Sequence, residues 1–210
     1  LSDRKFSFLP ISIVPALQLK ADVSYHPGEA SGKLAVNTRG GRLAANGSWA
    51  ARPEKYDARI ALDRFPVDAF MPSIGIGSVT GLASINGKGY NPMSVRTSVD
   101  ADVRLSEIEY NHETYRDINL NTSLHAGEAS GSLVSHNPGA DASIIFDAQL
   151  DGDSVHYSIN GNLSDINLRT LHLSDSINEG HLDIASAGFY NTRTRGMDIR
   201  ADVSSLAWQL

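Results

Sequence analysis

Seven histidines, His26, His112, His125, His136, His156, His172 and His181, are the residues of this 210-residue chain that could hold a transition metal. Zinc sites need several nitrogen or sulfur ligands converging at short, regular spacing. None of these histidines has another at i+2, and they fall at turns or at the polar positions of alternating segments, which predicts a solvated role and no metal. Asp151 and Asp153 in LDGDSVHY (150-157) invite a calcium reading. A full calcium loop needs more oxygen ligands and a distal bidentate acid, so an Asp-Gly turn is the better account. The run GIGSVTG (75-81) is rich in glycine but opens no long helix, so it is not a phosphate-binding loop. Asp100 and Asp102, two apart, share the polar face of a strand and read as surface charge. The chain also lacks the G-x-S-x-G elbow of serine hydrolases. Neither a catalyst nor a cofactor is expected.

The composition narrows the classes further. Eighteen basic residues against 24 acidic give a net charge of −6, and no basic cluster is present to meet a phosphate backbone, so nucleic acid is excluded as a partner. Cysteine is absent, which leaves burial and backbone pairing to hold the fold. The opening LSDRKFSF lacks the apolar core of a signal peptide, and no run of about 18 apolar residues suggests a membrane-spanning helix. The final DIRADVSSLAWQL stops inside a strand-like pattern, so the chain is expected to be a piece of something longer, with any targeting segment or anchor outside it.

The elements that must position any site are strands. Leu17, Leu19, Ala21, Val23 and Tyr25 take one parity while Gln18, Lys20, Asp22 and Ser24 take the other. Successive side chains of a strand point to opposite faces, so such a segment has one apolar and one wet face. The same alternation runs through Val95, Val99, Ala101, Val103 and Leu105, through Ala142, Ile144, Phe146, Ala148 and Leu150, through Val155, Tyr157 and Ile159, and through Met197, Ile199, Ala201 and Val203. Pro27-Gly28, Gly40-Gly41, Asn46-Gly47, Pro138-Gly139 and Asp151-Gly152 supply turn chemistry, with Asn46-Gly47 equally suited to a bulge. Helix is expected only in short pieces, at PVDAFMPS (66-73) and SDINLRTLH (164-172).

The chain also repeats itself. GEASGKL (28-34) returns as GEASGSL (127-133), ALDRFPVDAF (61-70) lies opposite NLSDINLRTL (162-171), ADV recurs at 101-103 and 201-203, and Gly89-Tyr90 sits near Gly188-Phe189. The shifts, 99 to 101 positions, define a unit of about a hundred residues and about six strands. Two units are expected, 1-105 and an incomplete 106-210, sharing one continuous sheet.

Two segments carry a family resemblance. LDRFPVDAFMPSIGIGSVTGLASINGKG (62-89) resembles the strand, Pro-bracketed crossing and Gly-containing return of the AsmA-like and TamB-like proteins of the bacterial envelope. IEYNHETYRDINLNTSLHAGEASGSL (108-133) is similar to their strand pair followed by a glycine turn, and the long unit itself also matches. The resemblance implies an all-β fold, an elongated and curved antiparallel sheet of the repeating β-groove type, with an apolar concave face and short crossing helices. A closed β-sandwich is the alternative. The family conducts phospholipid between the inner and outer membranes, so the resemblance implies acyl chains as ligand and outer-membrane assembly machinery as partner of the full-length protein. It also implies a periplasmic location with an inner-membrane anchor outside this chain. The groove lining would be Leu17, Leu19, Ile60, Leu62, Val99, Ala101, Val103, Ile118, Leu120, Ile144, Phe146, Ile159, Ile199 and Val203. A structural or adhesive surface repeat without lipid is the competing function.

Overall fold

The computed structural model describes residues 17–111, 113–137, 140–166 and 179–209. They form twelve strands in chain order: β1 (Gln18–His26), β2 (Glu29–Asn37), β3 (Arg42–Ala51), β4 (Glu54–Pro66), β5 (Ile76–Lys88), β6 (Ser98–Tyr110), β7 (Glu113–His125), β8 (Glu128–Asn137), β9 (Ala140–Asp151), β10 (Ser154–Ile166), β11 (Glu179–Asn191) and β12 (Met197–Gln209). All twelve lie in one antiparallel sheet, ordered β1 to β12, so each strand pairs with its neighbours in sequence. The sheet is curved and open, as expected, and the sandwich alternative is excluded. Strands pack substantially only against their hydrogen-bonded neighbours, which leaves a single layer.

Turn chemistry fixes the registers. Gly28 takes φ 88° in the tight turn that sets His26 opposite Glu29, and Gly127 repeats that conformation between β7 and β8. A side chain at either position would be strained. Gly40 and Gly41 lie between β2 and β3, and Gly152 turns β9 into β10. Asn46 and Gly47 instead sit inside β3 in regular register, opposite Lys33 and Gly32, so they form neither a turn nor a bulge. Pro138 and Gly139 lie outside the described residues.

The crossing at 66-73 is not a helix. Phe70 and Met71 donate their amides to the Val67 carbonyl, a single turn follows as a 3-10 segment at Pro72–Ile74, and Gly75 ends it at φ 73°. Pro66 and Pro72 explain the outcome, because each lacks an amide proton and restricts the residue before it, leaving too few residues between them to propagate a helix. In the second candidate, 164-172, Ser164 to Ile166 still belong to β10 and the remainder lies outside the described residues.

The hundred-residue period appears as equivalent pairings. Gly87 lies between Tyr56 and Val99, and Gly188 lies between Tyr157 and Ile199 in the same way. The register between β4 and β5 shifts between Leu62 and Phe65, and the one between β10 and β11 shifts between Leu163 and Ile166. Inside these two bulges Arg64 and Asp165 both take positive φ, 46° and 51°. The strands β4 to β6 and β10 to β12 thus share these features. One anchor moves slightly: the partner of Gly188 is Gly87 rather than Gly89.

Candidate functional site

Registers place nearly all the predicted lining residues on one face. One row of directly opposed residues crosses the whole sheet: Ala21, Leu34, Ala45, Ile60, Ala83, Val103, Leu120, Leu133, Ile144, Gly161, Ile184 and Val203. Every member is aliphatic or glycine. Eleven strand spacings at about 4.8 Å make this row about 50 Å long. A parallel row holds Ala101, Phe146 and Ile159, another holds Val99 and Ile199, and Leu19 and Leu62 align with Leu105 and Ile118 on the opposite flank. Leu17 precedes β1 and pairs with nothing in the sheet.

Little covers this face. The buried apolar side chains among the described residues are Val36, Phe65, Val79 and Ile166. Phe65 is covered by Phe70 of the crossing segment, their rings stacked with centroids 5.1 Å apart. Across the middle strands most of the face is half-buried by its own neighbours, and at the first and last strands it is open, with Leu19, Val23 and Tyr25 at 62%, 73% and 71% exposure and Ile199 and Val203 at 53% and 59%. Large contiguous apolar patches are rare on soluble monomers.

Aromatic rings close the gaps left by glycines. A side chain at Gly87 would fall inside the Tyr56 ring, one at Gly131 inside the Phe146 ring, and one at Gly188 against Tyr157. Tyr56 stacks on Tyr90 at 5.9 Å, and Tyr90 accepts a hydrogen bond from the Trp49 indole. The result is a smooth surface in which the rings lie along the sheet. The sequence signal that joins Trp49 to Tyr56 is their shared parity across the Ala51–Glu54 hairpin, where they stand directly opposite each other.

The opposite face is polar but not featureless. A depression of about 880 Å³ crosses β1 to β6, lined by Ala35, Ala44, Ala61 and Leu82 of this parity together with Ala21, Leu34, Ala45, Ile60 and Ala83 of the aliphatic row, and rimmed by Lys33, Arg59 and Arg104. These small apolar residues on the wet parity were the available signal. A twisted sheet is saddle-shaped, so each face has its own concave diagonal.

The remaining chemistry is that of surface pairs. His136 Nδ1 lies 3.0 Å from Asp141, a hydrogen bond that raises the imidazole pKa and lowers that of the carboxyl. Asp183 is held below the usual carboxylate range first by the Asn162 amide at 2.7 Å and then by His181. Asp153 pairs with Arg193 across the turn from Asp151. Among the described residues no group of three His, Asp or Glu converges as a metal site would require, and His112 and His172 fall outside them. No helix among the described residues is long and apolar enough to cross a membrane. No family model, curated protein or solved structure matches the chain.

Proposed function

We propose that this chain is a non-enzymatic segment of a TamB-like or AsmA-like envelope protein that conducts phospholipid along its apolar face. The supporting observation is the unbroken aliphatic row from Ala21 to Val203 on a single-layer sheet. A row without polar interruptions offers an acyl chain no preferred stopping point, which suits conduction better than tight capture. The row itself is Ala, Val, Ile, Leu and one Gly, and offers no polar side chain to orient a sugar or peptide. In this reading headgroups stay at the open side, the full-length protein is periplasmic with an inner-membrane anchor elsewhere, and its far end meets the outer-membrane assembly machinery.

The test combines extraction with charge. Protein expressed in a bacterial periplasm should yield phospholipid to mass spectrometry of its organic extract. Val103→Asp together with Ile144→Asp should abolish that yield with the far-ultraviolet dichroism unchanged, because a carboxylate on an open face stays hydrated, whereas one in a packed core costs several kcal/mol. A lipid-free wild type and an unfolded double variant would make these residues core and defeat the proposal.

A further inference from the structure

The depression across the first repeat combines an apolar floor with basic side chains that nothing in the fold requires. From β2 to β6 two rows of opposed residues line it: Ala35, Ala44, Ala61, Leu82 and Arg104, and beside them Lys33, Asn46, Arg59, Ser84 and Asp102. Within each strand the two members stand two residues apart, so all ten side chains share the polar face. The aliphatic row between them also borders the hollow, but the further rows of the apolar face, such as Val36, Leu43 and Leu62 or Gly32, Gly47 and Ala58, do not. The hollow therefore opens on the polar side. Three successive alanines deepen it, because a methyl group fills little of the space above a strand, and all five of these strands are paired on both sides within the sheet.

The second repeat shows which of these residues the frame needs. Lys33 is the one letter that differs between GEASGKL and GEASGSL, where Ser132 takes its place. Arg59 lies three residues beyond Tyr56, the partner of Gly87, and Asn160 lies three beyond Tyr157, the partner of Gly188. Arg104 opposes Leu82, whereas Ser205 opposes Asp183 at the equivalent pairing. The same frame is thus built without the three cations. Nor do they serve internal pairing: each is exposed, and none forms an ion pair or a side-chain hydrogen bond with another described residue. In a chain of net charge −6, the lining of the hollow carries four basic side chains against two acidic ones. We infer that the hollow binds a phosphate carried on an apolar tail, with the tail on Ala35, Ala44, Ala61 and Leu82 and the phosphate between Lys33, Arg59 and Arg104. A guanidinium matches phosphate oxygens two at a time and an ammonium adds a compact charge, so three cations suit a doubly charged head with three acceptor oxygens. A volume of about 880 Å³ is that of a small-molecule site, in which apolar walls supply the area and a few polar groups fix the orientation. The site lies across the sheet from the proposed conducting face, and its test leaves that face untouched.

Titration calorimetry with dodecyl phosphate, kept below its micelle concentration, should show one site on the wild-type chain, weakened by added salt. Dodecyl maltoside, which has the same tail and no charge, and inorganic phosphate, which has the head and no tail, should each bind about tenfold more weakly or less. The double variant Lys33→Ser with Arg59→Asn gives these positions the residues that the second repeat already carries, so its strand dichroism should be unchanged. Its affinity for dodecyl phosphate should fall about tenfold or more, because each charge-assisted hydrogen bond contributes on the order of 1.5 kcal/mol. Arg96→Gln with Arg195→Gln removes the same charge from the β5–β6 and β11–β12 connections, outside the hollow, and should bind as the wild type does. Dodecyl maltoside binding as tightly overturns the inference, since it would mean adsorption of the tail alone, and inorganic phosphate binding as tightly overturns it by making the floor irrelevant. Equal losses in the two double variants would make net charge the cause and overturn it as well, as would a folded Lys33→Ser, Arg59→Asn variant that binds like the wild type.

Discussion

At the scale of single residues, the polar face carries a titration that reports its geometry. His136 gains its proton more easily than a free imidazole because Asp141 accepts its hydrogen bond, and Asp141 loses its own more easily for the same reason. The sign follows from linkage: the histidine's contribution is complete below its unfolded value of 6.5 and fades as pH rises through the raised one, while the carboxylate's fades as pH falls through its lowered one. The pair is therefore most effective between these limits. With the imidazole side chain 62% exposed, water screens the pair and its effect on stability is small, so the titration itself is the useful readout. Nuclear magnetic resonance should place the His136 midpoint above 6.5 in the wild type and lower in Asp141→Asn; equal midpoints would mean that β8 and β9 do not bring the two side chains together. This pair was not legible beforehand, because the parity pattern showed both residues to be on the wet side but not which of them face each other.

At the scale of elements, the bulge and crossing next to β4 hold what little core exists. Phe65 is 8% exposed, opposite Val79 and beneath Phe70. Phe65→Ala should cost about 3 kcal/mol in urea denaturation, the low end for a buried phenylalanine, because a site at the sheet margin can partly collapse. Leu82→Ser, at a residue 60% exposed on the polar face, should stay within about 0.5 kcal/mol of the wild type. If the two substitutions cost the same, the margin is not the core. Strands were legible here because alternation needs only local sequence, and the even spacing of apolar letters from Leu17 to Tyr25 carries through to the register. The crossing was misread because apolar spacing in PVDAFMPS satisfies a helical period, while the two prolines decide the backbone. The glycines at 87, 131 and 188 gave no hint of the rings that cover them, since those rings come from adjacent strands rather than from neighbouring positions.

At the scale of the whole molecule, the repeat in GEASGKL and GEASGSL announced the architecture, and the parity pattern announced its one apolar face. Neither could reveal whether a second layer would close over that face, because one-sided strands are written the same way in a sandwich and in an open sheet. What the open meander does determine is the time in which it forms. Among the described residues every ladder joins strands adjacent in sequence, and most of the connections are short, so no pairing there waits for a distant part of the chain. Loop-closure entropy is small at each step, and hairpins form in microseconds. Sandwiches of comparable size must bring remote strands together and fold in milliseconds to seconds. Refolding from urea in a stopped-flow mixer should therefore show most of its amplitude faster than that range, with strand signal growing outward from hairpins already made. A dominant phase of seconds or longer that a prolyl isomerase does not accelerate would mean that some ladder assembles out of chain order.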